Sequence, residues 1–219
     1  MQTILITGAG TGLGKELALT YAQKGNTVIL AGRSIEPLES VKQEILSEGG
    51  EAFTYQLDIS NLESVKRTVG KITAKHDVTY LVNNAGTGCF GPLTELSHEE
   101  IMTAIQTNVL GTIFLTKELI PYLLKHGGSK IMNIISTAGQ KGKVNESVYV
   151  ASKFAVRGFT ESLQKELEDK VHVVATYMGG MDTPFWDETN HIKDKSRLRS
   201  PREVAEIIVS RDGELEIHV

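Results

Sequence analysis

From one end to the other, short β-branched runs alternate with segments of helical spacing, and this constrains the fold more than any other feature of the sequence. The predicted strands are Thr3–Thr7, Thr27–Ala31, Ala52–Leu57, Tyr80–Val82, Lys130–Ile135, Val171–Tyr177 and Glu214–Val219. Helical spacing covers Leu13–Gln23, Leu38–Ser47, Leu62–Lys75, His98–Leu124, Ser147–Glu168 and Pro201–Ser210. The last of these opens with Ser200 at the cap, Pro201 at the first helical position and an acid, Glu203, at the third. Alternation of this kind predicts an α/β chain: a doubly wound parallel sheet of about seven strands with helices on both faces. At 219 residues the chain is the right size for one such domain with a sizeable core.

Charge and composition exclude several function classes. The net charge is −4 and the pI about 5.9, so no bulk basic surplus exists to hold nucleic acid or an anionic membrane. The N-terminal stretch reads as a strand, and no apolar run approaches the roughly 18 residues of a membrane span. The single cysteine, Cys89, rules out an intramolecular disulfide and suits a reducing compartment, so a cytoplasmic protein is expected. Its six histidines show no pair at helical ligand spacing, and no metal site is expected.

Chemistry begins at the first turn. Thr7-Gly8-Ala9-Gly10-Thr11-Gly12-Leu13-Gly14 leaves the first strand and opens the first helix. Glycines there let a backbone approach a pyrophosphate, and the helix N-terminus offers free N–H groups to it. The context is that of a nucleotide-binding βαβ unit, and the fold it opens is Rossmann-like. The second strand then runs into Gly32-Arg33-Ser34. A cofactor with a free ribose 2′-hydroxyl is usually met here by an acid. Arginine suits a 2′-phosphate, which its guanidinium grips as a fork, so NADP(H) is the expected cofactor. The plainer reading of Arg33 is a solvated charge at a strand end.

Farther on, Tyr149-Val150-Ala151-Ser152-Lys153 puts a phenol and an ammonium four residues apart, on one helix face. A nearby cation stabilises a phenolate and brings tyrosine closer to proton-transfer range. Ser136 ends a strand at the carboxyl edge of the expected sheet, where ligands bind. Taken alone, the Tyr/Lys pair would read as an ordinary surface pair.

It is not alone. The ordered set of Thr7–Gly14, Asp58-Ile59, Asn83-Asn84-Ala85-Gly86, Asn108, Ser136 and Tyr149–Lys153 resembles the short-chain dehydrogenase/reductase family along nearly the whole chain. The resemblance implies an NADP(H)-dependent oxidoreductase acting on a small carbonyl or alcohol. It implies cofactor contacts at Gly8, Gly10, Thr11, Gly12, Leu13 and Gly14 of the turn, and at Arg33 and Ser34. Asp58 and Ile59 would meet the adenine, Asn84, Ala85 and Gly86 the ribose region, and Thr183 the carboxamide. Tyr149 would transfer the proton, Ser136 hydrogen-bond the reacting oxygen, and Lys153 bind ribose and lower the phenol pKa. Asn108 would hold a relay water. The expected division is residues 1–86 for the cofactor, 87–183 for catalysis and 184–200 as a substrate lid. A cofactor-binding regulator that never turns over is the alternative; the presence of Ser136, Tyr149 and Lys153 argues against it.

Two positions depart from the family pattern: Met178 stands where proline is usual, and Ile135 where a second serine is frequent. The short stretch after Thr183 predicts a small or open substrate site. Asp187–Ser200 is polar without periodicity and is expected to stay mobile until ligands bind. Phe185 and Trp186 form either a pocket wall or a loop anchor, and Cys89 reads as a small apolar filler. Apolar residues surround the first half of Ser147–Glu168, which implies a second covered face and, by resemblance, a homodimer or homotetramer.

Overall fold

The computed structural model describes residues 1–187, 191, 194 and 197–219. Those parts of the expected lid at positions 188–190, 192–193 and 195–196 lie outside the described residues.

Seven parallel strands form one sheet: β1 (Thr3–Thr7), β2 (Thr27–Gly32), β3 (Glu51–Gln56), β4 (Tyr80–Asn83), β5 (Lys130–Ile134), β6 (His172–Tyr177) and β7 (Glu216–His218). Their spatial order is β3-β2-β1-β4-β5-β6-β7, so the chain winds outward in both directions from the β1/β4 pair. The helices are α1 (Gly12–Gln23), α2 (Ile35–Ser47), α3 (Leu62–Thr73), α4 (His98–Ile105), α5 (Thr112–Leu123), α6 (Ser147–Glu166) and α7 (Pro201–Ser210).

Pleating explains the two-sided core. Ile4 and Ile6 of β1 face α1, α2 and α7 in one fully buried cluster. Leu5, between them, faces the opposite way into a second cluster with α3, α5 and α6. A parallel sheet sandwiched in this way has no polar face, which is why its strands read as continuous apolar runs. At roughly 25 cal/mol per Å², each fully buried Ile or Leu contributes on the order of 2 kcal/mol.

One expectation needs correction. The segment His98–Leu124 is not one regular helix: α4 and α5 are joined by a π-helical stretch, Gln106–Gly111. An extra residue in one turn leaves the apolar spacing almost unchanged, so periodicity does not reveal it. As expected, Ser200 occupies the cap of α7, with Pro201 and Glu203 in the first turn; the Ser200 hydroxyl makes no capping hydrogen bond. Pro201 removes one of the N–H groups that would need a partner there. Within the single chain, α6 is buried on one side only. Val148, Tyr149 and Val156 are buried within the monomer, whereas Ala151, Phe154 and Ala155 are exposed.

Candidate active site

The carboxyl ends of six strands, β1 to β6, converge where the sheet order reverses, and one cavity of about 660 Å³ opens there. Its walls extend from Arg33 past the glycine turn to Tyr149 and Trp186. The size falls within the range of small-molecule and cofactor sites.

At one end the turn after β1 is shaped as a cradle. Gly8 and Gly12 have φ of +64° and +54°. A Cβ on Gly14 would lie 2.2 Å from the Gly8 carbonyl oxygen, so only glycine lets α1 press against the turn. The first residues of α1 thereby face the cavity with backbone N–H groups that the helix itself leaves unpaired. Asn84 braces this turn: its Nδ2 donates to the Thr7 carbonyl at 2.9 Å, while Thr7 Oγ1 accepts from the Asn84 and Ala85 N–H groups, each at 3.0 Å. Arg33 is exposed at the cavity edge and has no ion-pair partner among the described residues. A phosphate-bearing dinucleotide fits this arrangement of open N–H groups, Cβ-free backbone and unengaged guanidinium.

Most of the expected cofactor positions line the cavity: Gly8, Thr11, Gly12, Leu13, Gly14, Arg33, Asp58, Ile59, Asn84, Ala85, Gly86 and Thr183. Two do not. A Cβ on Gly10 would meet Pro37 of α2 at 2.8 Å, so that glycine serves packing between the turn and α2. Ser34 caps the start of α2 by position, without a side-chain hydrogen bond.

At the other end Ser136, Tyr149 and Lys153 meet. Ser136 lies just past β5 with φ +133°, a conformation costly for a non-glycine residue, on the order of 1–3 kcal/mol. The Ala138 N–H donates to its Oγ at 3.2 Å, and Ser136 lines the cavity together with Tyr149. The Thr137 N–H donates to the Met178 carbonyl at 3.0 Å, so the residue in place of proline anchors this turn. Ile135 points into the core with Val156, Ala175 and Tyr177, away from the cavity.

Burial dominates the electrostatics. It pushes the Tyr149 phenol above its usual range; the Ser136 side chain opposes this and the Glu146 carboxylate adds to it. Burial also pushes the Lys153 ammonium down to about 8. Lys153 Nζ donates to the Ile134 carbonyl at 3.1 Å and stands 5.7 Å from the Tyr149 ring centre. The expected lowering of the phenol by Lys153 is therefore not seen in the protein alone. Burial is the largest influence on both groups, raising the phenol and lowering the ammonium.

Asn108 lies behind this pair, in the π-helical stretch. Its Oδ1 accepts from the Thr87 N–H at 2.8 Å; its Nδ2 donates to the Thr87 carbonyl at 2.9 Å and to Ser152 Oγ at 3.0 Å. The amide is thus engaged with the protein, joining the loop after β4 to α6.

Known proteins place this geometry. A family model described as short chain dehydrogenase matches residues 2–194. The chain belongs to the short-chain dehydrogenase family. One relative, the 3-oxoacyl-acyl-carrier-protein reductase of Thermotoga maritima, is 32% identical, covering 95% of this chain and 89% of its own. The sepiapterin reductase of Chlorobaculum tepidum is 31% identical over 94% of this chain and 88% of its own. Among solved structures, the alcohol dehydrogenase of Thermococcus sibiricus complexed with 5-hydroxy-NADP superposes with a TM-score of 0.92. It is 30% identical and covers all of this chain and 96% of that one.

For this short-chain dehydrogenase, reading the sequence missed several residues at the mouth of the cavity. Phe90 packs on Tyr149, with ring centres 5.2 Å apart. Glu146 is buried, and its Oε1 lies 2.9 Å from His191 Nε2. Lys143 lines the cavity and approaches Glu146 at 3.9 Å. A carboxylate three residues before Tyr149 was the one signal available in the sequence. Cys89 is buried with Ala104 and Val148, as an apolar filler would be. No group of three or more metal-ligating side chains occurs among the described residues, and no helix there is long and apolar enough to cross a membrane.

Proposed function

We propose that the protein is an NADP(H)-dependent oxidoreductase that interconverts a small carbonyl compound and its alcohol, with Tyr149 as the proton-transfer residue. One observation carries this reading: Ser136, Tyr149 and Lys153 face the same cavity as the glycine cradle and Arg33. When bound, NADPH supplies the hydride. Ser136 and Tyr149, which line the same cavity, both turn to the carbonyl oxygen. A phenol held above its usual range stays protonated at neutral pH and is suited to donate to that oxygen. Lys153 binds the cofactor ribose and steadies the phenolate once the proton has left. Asn108 joins the relay that restores it by fixing the wide helical turn beside Thr87 and Ser152. In this division residues 1–86 mainly hold the cofactor and 87–183 supply the chemistry, while the described part of 184–200 borders the substrate.

The substrate itself is a small carbonyl compound carrying a modest apolar or aromatic group. Phe185 and Trp186 line the cavity beside Tyr149, and Trp186 Nε1 is fixed on the Met181 carbonyl at 2.9 Å. The experiment is a panel of aldehydes, ketones and alcohols followed by NADPH absorbance. Consumption with small aromatic carbonyls, and a severalfold loss of kcat/KM for them in Trp186→Ala, is expected. Unchanged efficiency in that variant would place the substrate wall elsewhere. No consumption with any member would favour a cofactor-binding regulator instead.

The protein also pairs through α6 and works in the cytoplasm. Phe154 is exposed together with Ala151 and Ala155 along one side of α6. Covering that side with a symmetry mate gives a homodimer, or a homotetramer if a second interface forms. Light scattering at micromolar concentration should give a mass above the monomer's, and Phe154→Asp should reduce it. A monomer in the unmutated protein rules the pairing out.

A further inference from the structure

Five rings meet at the mouth of the cavity, and Phe90 touches all the others. Its ring centre lies 5.2 Å from Tyr149, 5.9 Å from Phe185, 5.2 Å from Trp186 and 4.7 Å from His191. It is nearly parallel to Trp186 (23°) and His191 (9°), and edge-on to Phe185 (77°). The other four rings line the cavity, and Phe90 stands behind them.

Phe90 is seated by its neighbours. A Cβ on Gly88 would lie 2.3 Å from the Phe90 ring, so the ring folds back over this residue and any side chain there would displace it. The Gly91 N–H donates to the Asn145 carbonyl at 2.8 Å, tying this loop to the turn before α6. On the far side, His191 is held by the buried Glu146 carboxylate at 2.9 Å. Three separate chain segments are thus locked around one ring.

We propose that Phe90, seated by Gly88, is a positioning residue. It holds Phe185, Trp186 and His191 as a wall against Tyr149, and this wall makes the site prefer a carbonyl flanked by a flat aromatic ring over a saturated ring of equal size. The proposal rests on the carbonyl-reduction reading above. A saturated ring buries similar area but is puckered and has no π face, so it cannot lie flush on the wall. Ring–ring contact beyond area burial corresponds to roughly two- to tenfold in binding.

The test compares benzaldehyde with cyclohexanecarbaldehyde at saturating NADPH. Intrinsic reactivities cancel in the change of the kcat/KM ratio between enzymes. Gly88→Ala leaves the Phe90 side chain intact and only displaces its ring; Phe90→Leu removes the ring. In both, the ratio should fall roughly two- to tenfold toward the saturated aldehyde, mainly through the benzaldehyde KM. An unchanged ratio in both variants overturns the preference. Trp186 is the only tryptophan in the chain, which provides a readout independent of turnover. Its emission in the protein alone should shift to the red in both variants as the indole loses its stacking partner. Emission fixed at the wild-type position in both overturns the positioning role. Should the unmutated protein reduce no carbonyl at all, the functional reading and the ring preference both fall, and the emission result still decides the positioning role. Circular dichroism identifies a variant that fails to fold, in which case the other carries the comparison.

Discussion

Tyr149→Phe should lower carbonyl turnover on the order of 10³-fold while leaving NADPH affinity nearly unchanged. The substitution removes one hydroxyl and little volume. The remaining ring keeps its contacts with Phe90 and Phe185, so the mouth of the cavity stays as it is. What disappears is the phenol that lines the cavity with Ser136 and, with it, the proton for the carbonyl oxygen. Lys153→Met should behave differently and lose both turnover and cofactor affinity. Its ammonium is assigned to the ribose and to the phenolate at once. Steady-state rates with NADPH and a separate fluorescence titration of the cofactor distinguish the two patterns. Substantial turnover in Tyr149→Phe would exclude Tyr149 as the required proton donor.

Arg33→Ala should weaken NADPH binding roughly tenfold and leave NADH binding unaltered. The argument is one of charge and position. Arg33 lies at the end of β2 on the cavity edge, exposed and without an ion-pair partner among the described residues. No acid at positions 32 or 33 competes for a ribose 2′-hydroxyl. Asp58, which lines the cavity, already accepts from the Ser60 N–H at 3.0 Å and from Ser60 Oγ at 2.7 Å. Titrating both cofactors against the unmutated and substituted proteins checks this. Because the guanidinium is exposed, the preference should shrink as ionic strength rises. Equal affinities in the unmutated protein would remove Arg33 from cofactor selection.

The sequence by itself determined the layers, the strand limits to within about two residues, and the positions of the glycine cradle and of Tyr149, Lys153 and Ser136. Its power there has a physical origin. A strand buried on both faces must be a continuous apolar run, and a surface helix must repeat its apolar residues every three to four positions, so both are written locally. A backbone that approaches a phosphate must lack Cβ atoms, which leaves glycines as its trace.

Tertiary structure alone decided the rest. The π-helical stretch that presents Asn108 changes the spacing by a single residue and leaves no periodic signal. Phe90, Tyr149, Phe185 and His191 come from segments up to 101 residues apart, and only packing puts their rings in one cluster. The direction in which Tyr149 is shifted followed the same logic. A cation four residues away is legible in the sequence and argues for a lowered pKa. Burial is a sum over every neighbour the fold assembles, and here it is the largest influence on the phenol and raises its pKa.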